Sequence, residues 1–463
     1  MTRLGPPAAF LALAAALFIG TSALPRDSRP DLLLVSIDCL RADHVGVYGC
    51  KRPTTPIVDR LANRGVRFAA AVAASDWTLA SVGSFMTGMQ PSRHGAVSPA
   101  EPLSLDVPTL AERLAAAGYQ TGAFVCSVYN QKLGLERGFA SYQGSGPIPA
   151  DARLLARDAA AWWRSIGHSV RNMIPWTRRP RFMWVHFLDP HAPYLPREPY
   201  YSAFHPAPYS GPYRFDKERD PNQAVDVGKR LSVDDRDQLL ALYDSEVRYT
   251  DTALGKLLES VDLSTTMLAV TADHGEEFKE HEQIGHGLNL SRQCLLVPLV
   301  FAGASVQCGH VVTAQVGLVH LAATFAAAGD AGLEPPMDAG PLQGCLQFPA
   351  QLPSRPVYSE QMESSHNLDV YSRVLGRQHA LLQLERGTDT VWGVQVFDWD
   401  ANWEEQDCAF EPANPVHAAA RDALLTYARR MRPQLAEIRR KRVRPAALPP
   451  GQLKDLRALG YLR

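Results

Sequence analysis

The sequence predicts an α/β fold: a doubly wound, mostly parallel sheet flanked by helices, followed by a small C-terminal antiparallel sheet with a packed helix. Short apolar runs recur up to residue 271, and helical segments separate them. Strands that alternate with helices are typical of parallel sheets covered on both faces. After residue 353 the runs become short and alternating, which indicates antiparallel strands.

The elements can be placed in chain order. Apolar runs predict buried strands at 31–37, 120–125, 181–187 and 267–271, with further strand character at 66–72. Three helices are predicted in this part. The first begins with Thr55 as its N-cap and Pro56 in its first turn, and the second covers 109–117. The third begins at a capping box formed by Ser232 and Asp235 and ends at residue 258. Alternating runs at 373–384 and 391–399 precede a helix predicted at 415–432. The segment 195–228 is rich in Pro, Tyr and Arg, and we expect a surface loop there that shapes a pocket.

The composition is that of a globular protein. The chain has 463 residues, 46% of them hydrophobic and 21% charged, which excludes wholesale disorder. Lys and Arg number 47 and Asp and Glu number 48. A protein that binds phosphate backbones normally has a basic surplus, so nucleic acid is not expected as a partner. We expect a signal peptide at 1–24, a main α/β domain at 30–350 and a small C-terminal α+β subdomain with a helical tail at 351–463.

The N-terminus predicts export. Arg3 precedes an apolar run at 8–19, and small residues at 21–23 offer a cleavage site. The run is shorter than the roughly 20 residues that a membrane span needs, although an uncleaved N-terminal anchor is the alternative. We therefore expect a periplasmic or secreted protein. Its seven cysteines form no CxxC pair, and their odd number leaves at least one thiol outside any intramolecular disulfide.

Four polar residues lie near the ends of predicted strands at one edge of the sheet: Asp38, Thr78, Asp273 and His274. Two carboxylates, an imidazole and a hydroxyl suit one divalent cation. The imidazole favours Mn²⁺ or Zn²⁺, with Ca²⁺ or Mg²⁺ as alternatives. Such an ion would lower the pKa of the Thr78 hydroxyl and convert a weak nucleophile into a strong one. Thr78 is also predicted to start a helix, whose amide groups favour an anion.

The order of longer motifs adds a resemblance to a known family. The chain contains DCLRADHVGVYG (38–49), TPIVDRLANRGVRF (55–68), TGMQPSRHG (87–95), WVHFLDPHAPY (184–194), TADHGEEF (271–278) and GHG (285–287). Together these motifs resemble the sulfatase-like hydrolases of the alkaline phosphatase superfamily. The closing LKDLRALGYL (453–462) is similar to the tail of many exported bacterial members.

The resemblance implies roles for individual residues. The family's metal ligands correspond to Asp38, Asp273 and His274, and its nucleophile position corresponds to Thr78. His191 matches a histidine that faces the substrate. His286 stands where the family binds the anion or protonates the leaving group. One metal is expected, and the alternative is a second metal held by His191 and His286 together with Asp189.

Several departures from the family pattern limit the chemistry. The formylglycine motif CxPxR is replaced by residues 78–82, TLASV, and threonine cannot become formylglycine. Cys39 replaces the second Asp of the usual pair, while Cys126 and Val128 replace a Lys and a His. In its threonine the chain resembles the phosphodiesterases and the phosphoglycerol or phosphoethanolamine transferases of the superfamily. We therefore expect no formylglycine, and a threonine nucleophile that acts mainly on phosphate esters.

The sequence leads to one function and its alternatives. We expect an exported, metal-dependent ester hydrolase or transferase that acts on phosphate, or less favourably sulfate, esters of an envelope or extracellular glycan or lipid. A catalytically silent anion-binding protein is one alternative, and a sulfuric ester hydrolase that uses no formylglycine is another. The basic run at 439–444 is interpreted as a solvated helix end, with peripheral contact to a membrane surface as the alternative.

Three residues next to the predicted site are assigned supporting or lower-ranked roles. We interpret His186 as a strand histidine whose ring is satisfied by backbone groups. Glu276 is predicted to support the loop after the metal-binding strand or to orient His274. Cys39 is a candidate soft-metal ligand that ranks below Asp38.

Overall fold

The computed structural model describes residues 27–98, 101–126, 133–145, 151–167, 179–205, 208–213, 231–281, 283–348, 352–362, 367–402, 404–405 and 410–442. The predicted signal peptide at 1–24 lies outside these residues. Among the described residues, no helix is both long enough and apolar enough to cross a membrane.

The first 13 strands belong to the main sheet and its small satellite sheets. They are β1 (Asp31–Ile37), β2 (Val66–Phe68), β3 (Ala71–Val72), β4 (Gln120–Cys126), β5 (Ser141–Ser145), β6 (Arg181–Phe187), β7 (Thr266–Ala272), β8 (Glu277–Phe278), β9 (Ile284–Gly285), β10 (Leu296–Val297), β11 (Leu299–Gly303), β12 (His310–Val312) and β13 (Val316–Gly317).

The main sheet has eight strands in the order β12-β2-β11-β7-β1-β6-β4-β5. β1 is parallel to both of its neighbours, β6 and β7. β4 is likewise parallel to β5 and β6, whereas β11 is antiparallel to β2 and β7. All seven residues of β1 are buried, as expected for a central strand covered on both faces. The prediction of a mostly parallel sheet is confirmed.

Helices connect and cover these strands. They are α1 (Pro56–Arg64), α2 (Thr78–Thr87), α3 (Pro91–His94), α4 (Leu110–Ala116), α5 (Ala152–Gly167), α6 (Tyr200–Phe204), α7 (Val233–Leu258), α8 (Arg292–Leu295), α9 (His320–Ala328) and α10 (Gln343–Gln347). α7 begins at the predicted capping box, in which Ser232 Oγ accepts from the amide of Asp235 and the Asp235 carboxylate accepts from the amide of Ser232. Of the predicted loop at 195–228, residues 195–205 and 208–213 are described, and they include the short helix α6, whose Tyr201 hydroxyl donates to Gln238 Oε1 of α7.

α1 begins where the sequence predicts, with Pro56 in its first turn, but its cap is made by another element. Thr55 is the N-cap residue, but its side chain makes no capping hydrogen bond. Thr55 Oγ1 instead accepts from the amide of Gly46. Asp251 of α7 caps the helix from outside, since its carboxylate accepts from the amides of Ile57 and Val58 at 3.0–3.1 Å. The cap is therefore a tertiary contact that also joins α1 to α7.

The C-terminal part is the predicted antiparallel sheet with a packed helix. Its strands β14 (Val357–Gln361), β15 (Leu368–Leu375), β16 (Gln378–Glu385) and β17 (Val391–Asp398) pair in chain order. The run at 373–384, predicted as one stretch, crosses a hairpin turn at Gly376, where φ is +60°. Helix α11 (Pro415–Lys441) continues nine residues beyond the predicted end at 432. Its apolar face, including Leu424 and Met431, is buried in a core cluster with this sheet.

The basic run at the end of α11 is solvated only in part. Arg440 and Lys441 are exposed, as predicted, whereas Arg439 and Arg442 contact the protein, and residues 443–444 lie outside the described residues. Arg439 donates to both carboxylate oxygens of Glu101 at 2.7 Å. Arg442 donates to the carbonyls of Gly95 and Pro102 at 2.9 and 2.8 Å. These two side chains are therefore engaged in tying the helix to the segment that follows α3.

Candidate active site

Three adjacent strands deliver polar residues to one edge of the main sheet. Ile37, the last residue of β1, is level with Phe187 at the end of β6 and with Ala272 at the end of β7. Asp38 follows β1 directly, and Asp273 and His274 follow β7. Because neighbouring parallel strands end at the same edge, these residues from distant parts of the chain come together.

His274 lies at the centre of this cluster. Its Nε2 atom is 3.0 Å from Thr78 Oγ1, 3.4 Å from Asp273 Oδ2 and 3.7 Å from Asp38 Oδ1. Its Nδ1 atom is 2.9 Å from the carbonyl oxygen of Gly275, which directs Nε2 toward the cluster. The residues Asp38, Thr78, Asp273 and His274 are fully buried. The structure thus brings together the four residues that the sequence predicts around a cation.

Thr78 reaches the cluster from the first turn of α2. The preceding Trp77 is extended, and its carbonyl accepts from the amide of Ser81 at 3.0 Å. Ser81 Oγ donates to the carbonyl of Asp273 at 2.6 Å, which holds the start of α2 against the end of β7. The N-terminal amides of a helix favour negative charge, so this geometry suits an anionic group beside Thr78.

The donor set fits a divalent cation. Within the described part of the chain, no Lys or Arg forms a salt bridge with Asp38 or Asp273, whose ion pairs are with histidines. Among the same residues, the buried Asp273 Oδ2 has no hydrogen-bond donor. A buried carboxylate oxygen without a partner is costly unless a cation neutralises it. Asp38, Asp273 and His186 each offer a ligand atom within 4.8 Å of the others.

The charges of the cluster agree with this interpretation. Burial opposes the effect, but His186, His191 and His274 hold the pKa of the Asp38 carboxyl well below its usual value. Burial and the adjacent Asp38 charge raise the pKa of Asp273. Burial lowers the pKa of His274, although the nearby Asp273 charge opposes this, and the shift favours the neutral imidazole. Neutral imidazoles and ionised carboxylates are the forms that bind metals.

The partners that the structure describes for the His186 ring are side chains, whereas the sequence predicted backbone groups. Its Nδ1 atom is 2.8 Å from Ser36 Oγ, and Ser36 Oγ also accepts from Trp184 Nε1. Its Nε2 atom is 3.5 Å from Asp38 Oδ2. Residues 36 and 186 are level in the parallel pair β1 and β6, so the ring lies against the end of β1. A histidine inside an otherwise apolar strand is the sequence signal that points to this contact.

A second cluster of metal-binding side chains lies beside the first. Cys39 Sγ is 3.1 Å from Asp38 Oδ1 and 3.4 Å from His286 Nδ1. The ring centroids of His191 and His286 are 5.0 Å apart, and those of His286 and His274 are 4.4 Å apart. Cys39, His191 and His286 each offer a ligand atom within 4.8 Å of the others. The two predicted catalytic histidines therefore adjoin the carboxylate cluster.

Glu276 orients His286 and not His274. Glu276 Oε1 is 2.9 Å from His286 Nδ1, and Oε2 accepts from the Tyr194 hydroxyl at 3.0 Å. Burial lowers the pKa of His286, but the charge and hydrogen bond of Glu276 outweigh it and raise the pKa to about 9. Burial lowers the pKa of His191, although the Asp38 charge opposes this. Of the two histidines, His286 is the one whose surroundings raise its pKa.

Asp189 is separate from both clusters. It forms an ion pair with Arg197, which also lies 3.4 Å from Glu246. Among the described residues, none of the groups of metal-binding side chains includes Asp189. The structure thus pairs Asp189 with Arg197, whereas His191 and His286 adjoin the carboxylate cluster.

The positions at which this chain departs from the formylglycine and Lys–His motifs differ in location. Leu79, Ala80 and Val82 of the altered CxPxR stretch are buried apolar residues of α2. The backbone of Cys126 ends β4, and Val128 lies outside the described residues. The apolar residues of the altered stretch therefore pack in the protein interior. Its polar side-chain groups are the hydroxyls of Thr78 and Ser81.

A family model described as Sulfatase matches residues 30–331 of the chain, which include every residue of both clusters. The chain belongs to the sulfatase family. This sulfatase-family protein is 23% identical to an arylsulfatase of Clostridium perfringens (strain 13 / Type A) in an alignment of 319 positions that covers 56% of this chain and 66% of that protein. The match thus spans just under two thirds of the relative's length.

Solved structures share the fold. A phosphonate monoester hydrolase of Agrobacterium radiobacter superimposes with a TM-score of 0.66 at 18% identity, covering 89% of this chain and 96% of that one. A protein solved in complex with its substrate D-glucosamine-2-N,6-O-disulfate superimposes with a TM-score of 0.67 at 17% identity, covering 88% and 98%. Identities at this level show a common fold.

Proposed function

We propose that this sulfatase-family protein is an exported, metal-dependent ester hydrolase or transferase with Thr78 as its nucleophile. The observation that carries the proposal is the position of the Thr78 hydroxyl, 3.0 Å from His274 Nε2 in a buried cluster with Asp38 and Asp273. A hydroxyl in this setting lies next to the residues that suit a divalent cation and at the N-terminal end of a helix. Both features favour attack on an anionic ester.

The residues of the first cluster have defined roles in this proposal. Asp38, Asp273, His274 and the Thr78 oxygen would hold one divalent ion, with Mn²⁺ or Zn²⁺ favoured. When bound, such an ion acidifies a hydroxyl and neutralises negative charge on ester oxygens. Thr78 Oγ1 then forms a bond to the phosphorus or sulfur atom as the bond to the alcohol breaks, and the hydroxyl proton passes to solvent. Water or a second alcohol removes the transferred group from Thr78 in the following step.

His286 is the preferred donor of the proton that the leaving alcohol takes. Its Nδ1 atom is engaged by Glu276, so Nε2 is the nitrogen that delivers a proton away from that carboxylate. The ring adjoins His274, which contacts Thr78. His191 lies edge-on to His286 and is the second candidate. A positioned acid of this kind typically contributes about 10²- to 10⁴-fold in rate.

The substrate class follows from the site and from the altered nucleophile. Threonine cannot take the formylglycine route, so phosphate esters are favoured over sulfate esters. The sulfatase relatives and the phosphonate monoester hydrolase of the same fold support an anionic ester as the group attacked. Export places the protein near envelope and extracellular glycans and lipids, which we propose as substrates. The small C-terminal subdomain is proposed to support this site without contributing to it.

Turnover of chromogenic phosphodiester, phosphomonoester and sulfate ester versions of one nitrophenol tests the proposal. Thr78→Ala is expected to lower kcat by at least about 10³-fold, because no nucleophile remains. Thr78→Ser is expected to retain a measurable rate. EDTA is expected to abolish turnover, and added Mn²⁺ or Zn²⁺ to restore it.

A matched control is available on the same helix. Thr87 lies at the other end of α2, where its hydroxyl donates to the carbonyl of Gly83 at 2.7 Å. Thr87→Ala is expected to keep the wild-type kcat. Full turnover by Thr78→Ala would overturn the nucleophile assignment, and preferred turnover of the sulfate ester would overturn the preference for phosphate. Silence on all three esters, combined with binding of the anions, would favour the non-catalytic alternative.

A further inference from the structure

A large cleft lies between α1 and α7, and the end of β11 with the turn after it borders one side. Its volume is about 1040 Å³, slightly above the roughly 300–1,000 Å³ of typical small-molecule sites. Among the described residues, none of those that line the cleft belongs to the two clusters at the sheet edge. The cleft is therefore a separate feature with room for an organic ligand.

The base of the cleft is apolar and is formed by the close packing of the two helices. Gly255 of α7 faces Ile57 of α1, and a Cβ atom at position 255 would lie 3.0 Å from Ile57 Cδ1. The carboxylate of Asp251 accepts from the amides of Ile57 and Val58, which fixes α1 against α7. The other apolar residues of the lining include Leu61, Leu258 and Leu263. This base offers contact to the uncharged body of a ligand.

Basic side chains stand at the rim of the cleft. Arg60 and Arg64 are exposed and lie one turn apart on the same face of α1. Within the described part of the chain, neither forms a salt bridge or a side-chain hydrogen bond. The acidic side chains of the lining are already engaged, since Asp251 caps α1 and Glu259 pairs with Lys256 at 2.8 Å. The rim therefore attracts anions.

Arg248 brings a buried donor to the same cleft. Its Nη1 atom is buried and has no hydrogen-bond acceptor among the described residues. The carboxylate oxygen Asp251 Oδ2 is 3.9 Å away, which is too far for a hydrogen bond. The guanidinium carbon lies 5.4 Å from the centre of the Tyr200 ring, and the Tyr200 hydroxyl is held 3.0 Å from Thr252 Oγ1. A buried N–H of a charged group without an acceptor is costly, so this position favours an anionic oxygen from a ligand.

The basic side chains are spread along the cleft and do not converge on one point. The helical rise is about 6 Å between Arg60 and Arg64 and about 12 Å between Arg248 and Lys256. One phosphate or sulfate group cannot contact all of them at once. A ligand with several such groups matches this spacing.

We propose that the cleft binds an oligosaccharide that carries several phosphate or sulfate groups, at a distance from the ester that is cleaved. Arg248 contacts one anionic group and Arg60 and Arg64 contact others, while the sugar rings lie on the apolar base. The anionic character follows from the cleft itself, whereas the choice of a glycan rests on the proposed function. Tyr200 belongs to the segment after β6 that also contains Tyr194, whose hydroxyl contacts Glu276 of the site. One glycan chain is therefore expected to extend from the cleft along this segment toward the site.

Calorimetric titration of the full-length protein with a heparin hexasaccharide, in EDTA and at low salt, tests the cleft without reference to activity. The wild type is expected to bind this probe, and more weakly as salt is added. Arg248→Gln is expected to weaken binding by about 10-fold or more, because hydrogen bonds to charged groups are the stronger kind. Arg248→Lys is expected to give an intermediate loss, since lysine keeps the charge without the planar fork. The double variant Arg60→Gln/Arg64→Gln is expected to weaken binding by about 2- to 30-fold, the range for two exposed ion pairs.

A matched control removes the same charge elsewhere on the surface. Arg377 and Arg440 are exposed and lie outside the cleft, so Arg377→Gln/Arg440→Gln is expected to bind the hexasaccharide as the wild type does. Inorganic sulfate and a single-stranded DNA 12-mer serve as further probes, and both are expected to bind more weakly than the hexasaccharide. Circular dichroism compares the folding of each variant with that of the wild type. All these variants are expected to keep the wild-type kcat on a nitrophenyl ester, which is too small to reach the cleft from the site.

The outcomes separate this proposal from the proposed hydrolysis. Absence of hexasaccharide binding by the wild type overturns the cleft as a site, as does undiminished binding by the Arg248→Gln and Arg60→Gln/Arg64→Gln variants. An equal loss in the control variant would indicate long-range charge attraction only and would also overturn it. Sulfate or DNA that binds as tightly as the hexasaccharide would overturn the choice of a glycan. Absence of ester turnover by the wild type would overturn the proposed function and leave these binding readouts unaffected.

Discussion

Removal of one carboxylate from the first cluster is expected to change stability in opposite directions with and without metal. Asp38 and Asp273 offer ligand oxygens within 4.8 Å of each other. At that distance two negative charges repel by about 3.5 kcal/mol at the effective dielectric constant of about 20 used for protein sites. Without metal this repulsion destabilises the folded chain, and proton uptake by the pair reduces its size.

Asp273→Asn isolates this effect because it preserves the other contacts. Asp273 Oδ1 faces the amides of Cys39 and His274 at 3.3 and 2.9 Å, and an asparagine oxygen can take its place. The amide nitrogen would replace Oδ2, the buried oxygen without a donor among the described residues. In EDTA we therefore expect Asp273→Asn to unfold at a higher temperature than the wild type, with a gain in stability of about 3.5 kcal/mol less the part that proton uptake by the pair already relieves.

With metal the order reverses. A bound ion at 100 times its Kd stabilises the wild-type fold by about 2.7 kcal/mol, and the variant loses most of this gain. Thermal unfolding gives the four Tm values that are compared, those of the wild type and of Asp273→Asn, each in EDTA and in Mn²⁺. Asp251→Asn, at a buried carboxylate that caps α1, is the control and is expected to shift the Tm equally in both conditions. An equal loss of stability by Asp273→Asn in EDTA and in Mn²⁺ would refute the reasoning.

Two further predictions concern the scaffold. Burial raises the pKa of Glu360 to about 7 despite hydrogen bonds from Ser92 and Tyr427, so the folded state holds a proton that the unfolded state releases from about pH 4.5. Stability should therefore fall as the pH rises from about 4.5 to about 7, and Glu360→Gln should remove that part of the slope in denaturant titrations. Asp251→Ala leaves the amides of Ile57 and Val58 without their acceptor. It should cost about 1–3 kcal/mol per amide in urea unfolding, and a cost near zero would show that water replaces the cap.

Much of the fold was predictable because it depends on local patterns. The fully apolar run of β1 and the alternation of strands with helices indicate a parallel sheet. The capping boxes of α4 and α7 involve residues three positions apart, so the start of each helix is encoded locally. The cap of α1 was not predictable in this way, because Asp251 lies far along the chain from Ile57.

The candidate site likewise has a part that the sequence predicts and a part that depends on tertiary contacts. Strand ends predicted that Asp38, Asp273 and His274 share one sheet edge, and the structure places them in contact. The partner of Glu276 depends on the antiparallel pairing of β8 with β9, which sets Glu277 opposite Gly285 and brings the next residue, His286, against the Glu276 carboxylate. His186 reaches Asp38 through the register of β1 and β6.

The sequence by itself determined the order of strands and helices, the family and the residues that gather at the ends of the parallel strands, because these depend on periodicity, local capping and motif spacing. The tertiary structure alone decided which side chains touch: the pairing of Glu276 with His286, the position of the Cys39 thiol beside Asp38 and His286, and the ion pair of Asp189 with Arg197. The reason is physical. A hydrogen bond or metal ligand requires atoms to meet within a few tenths of an ångström, and that precision arises only when distant elements pack against one another.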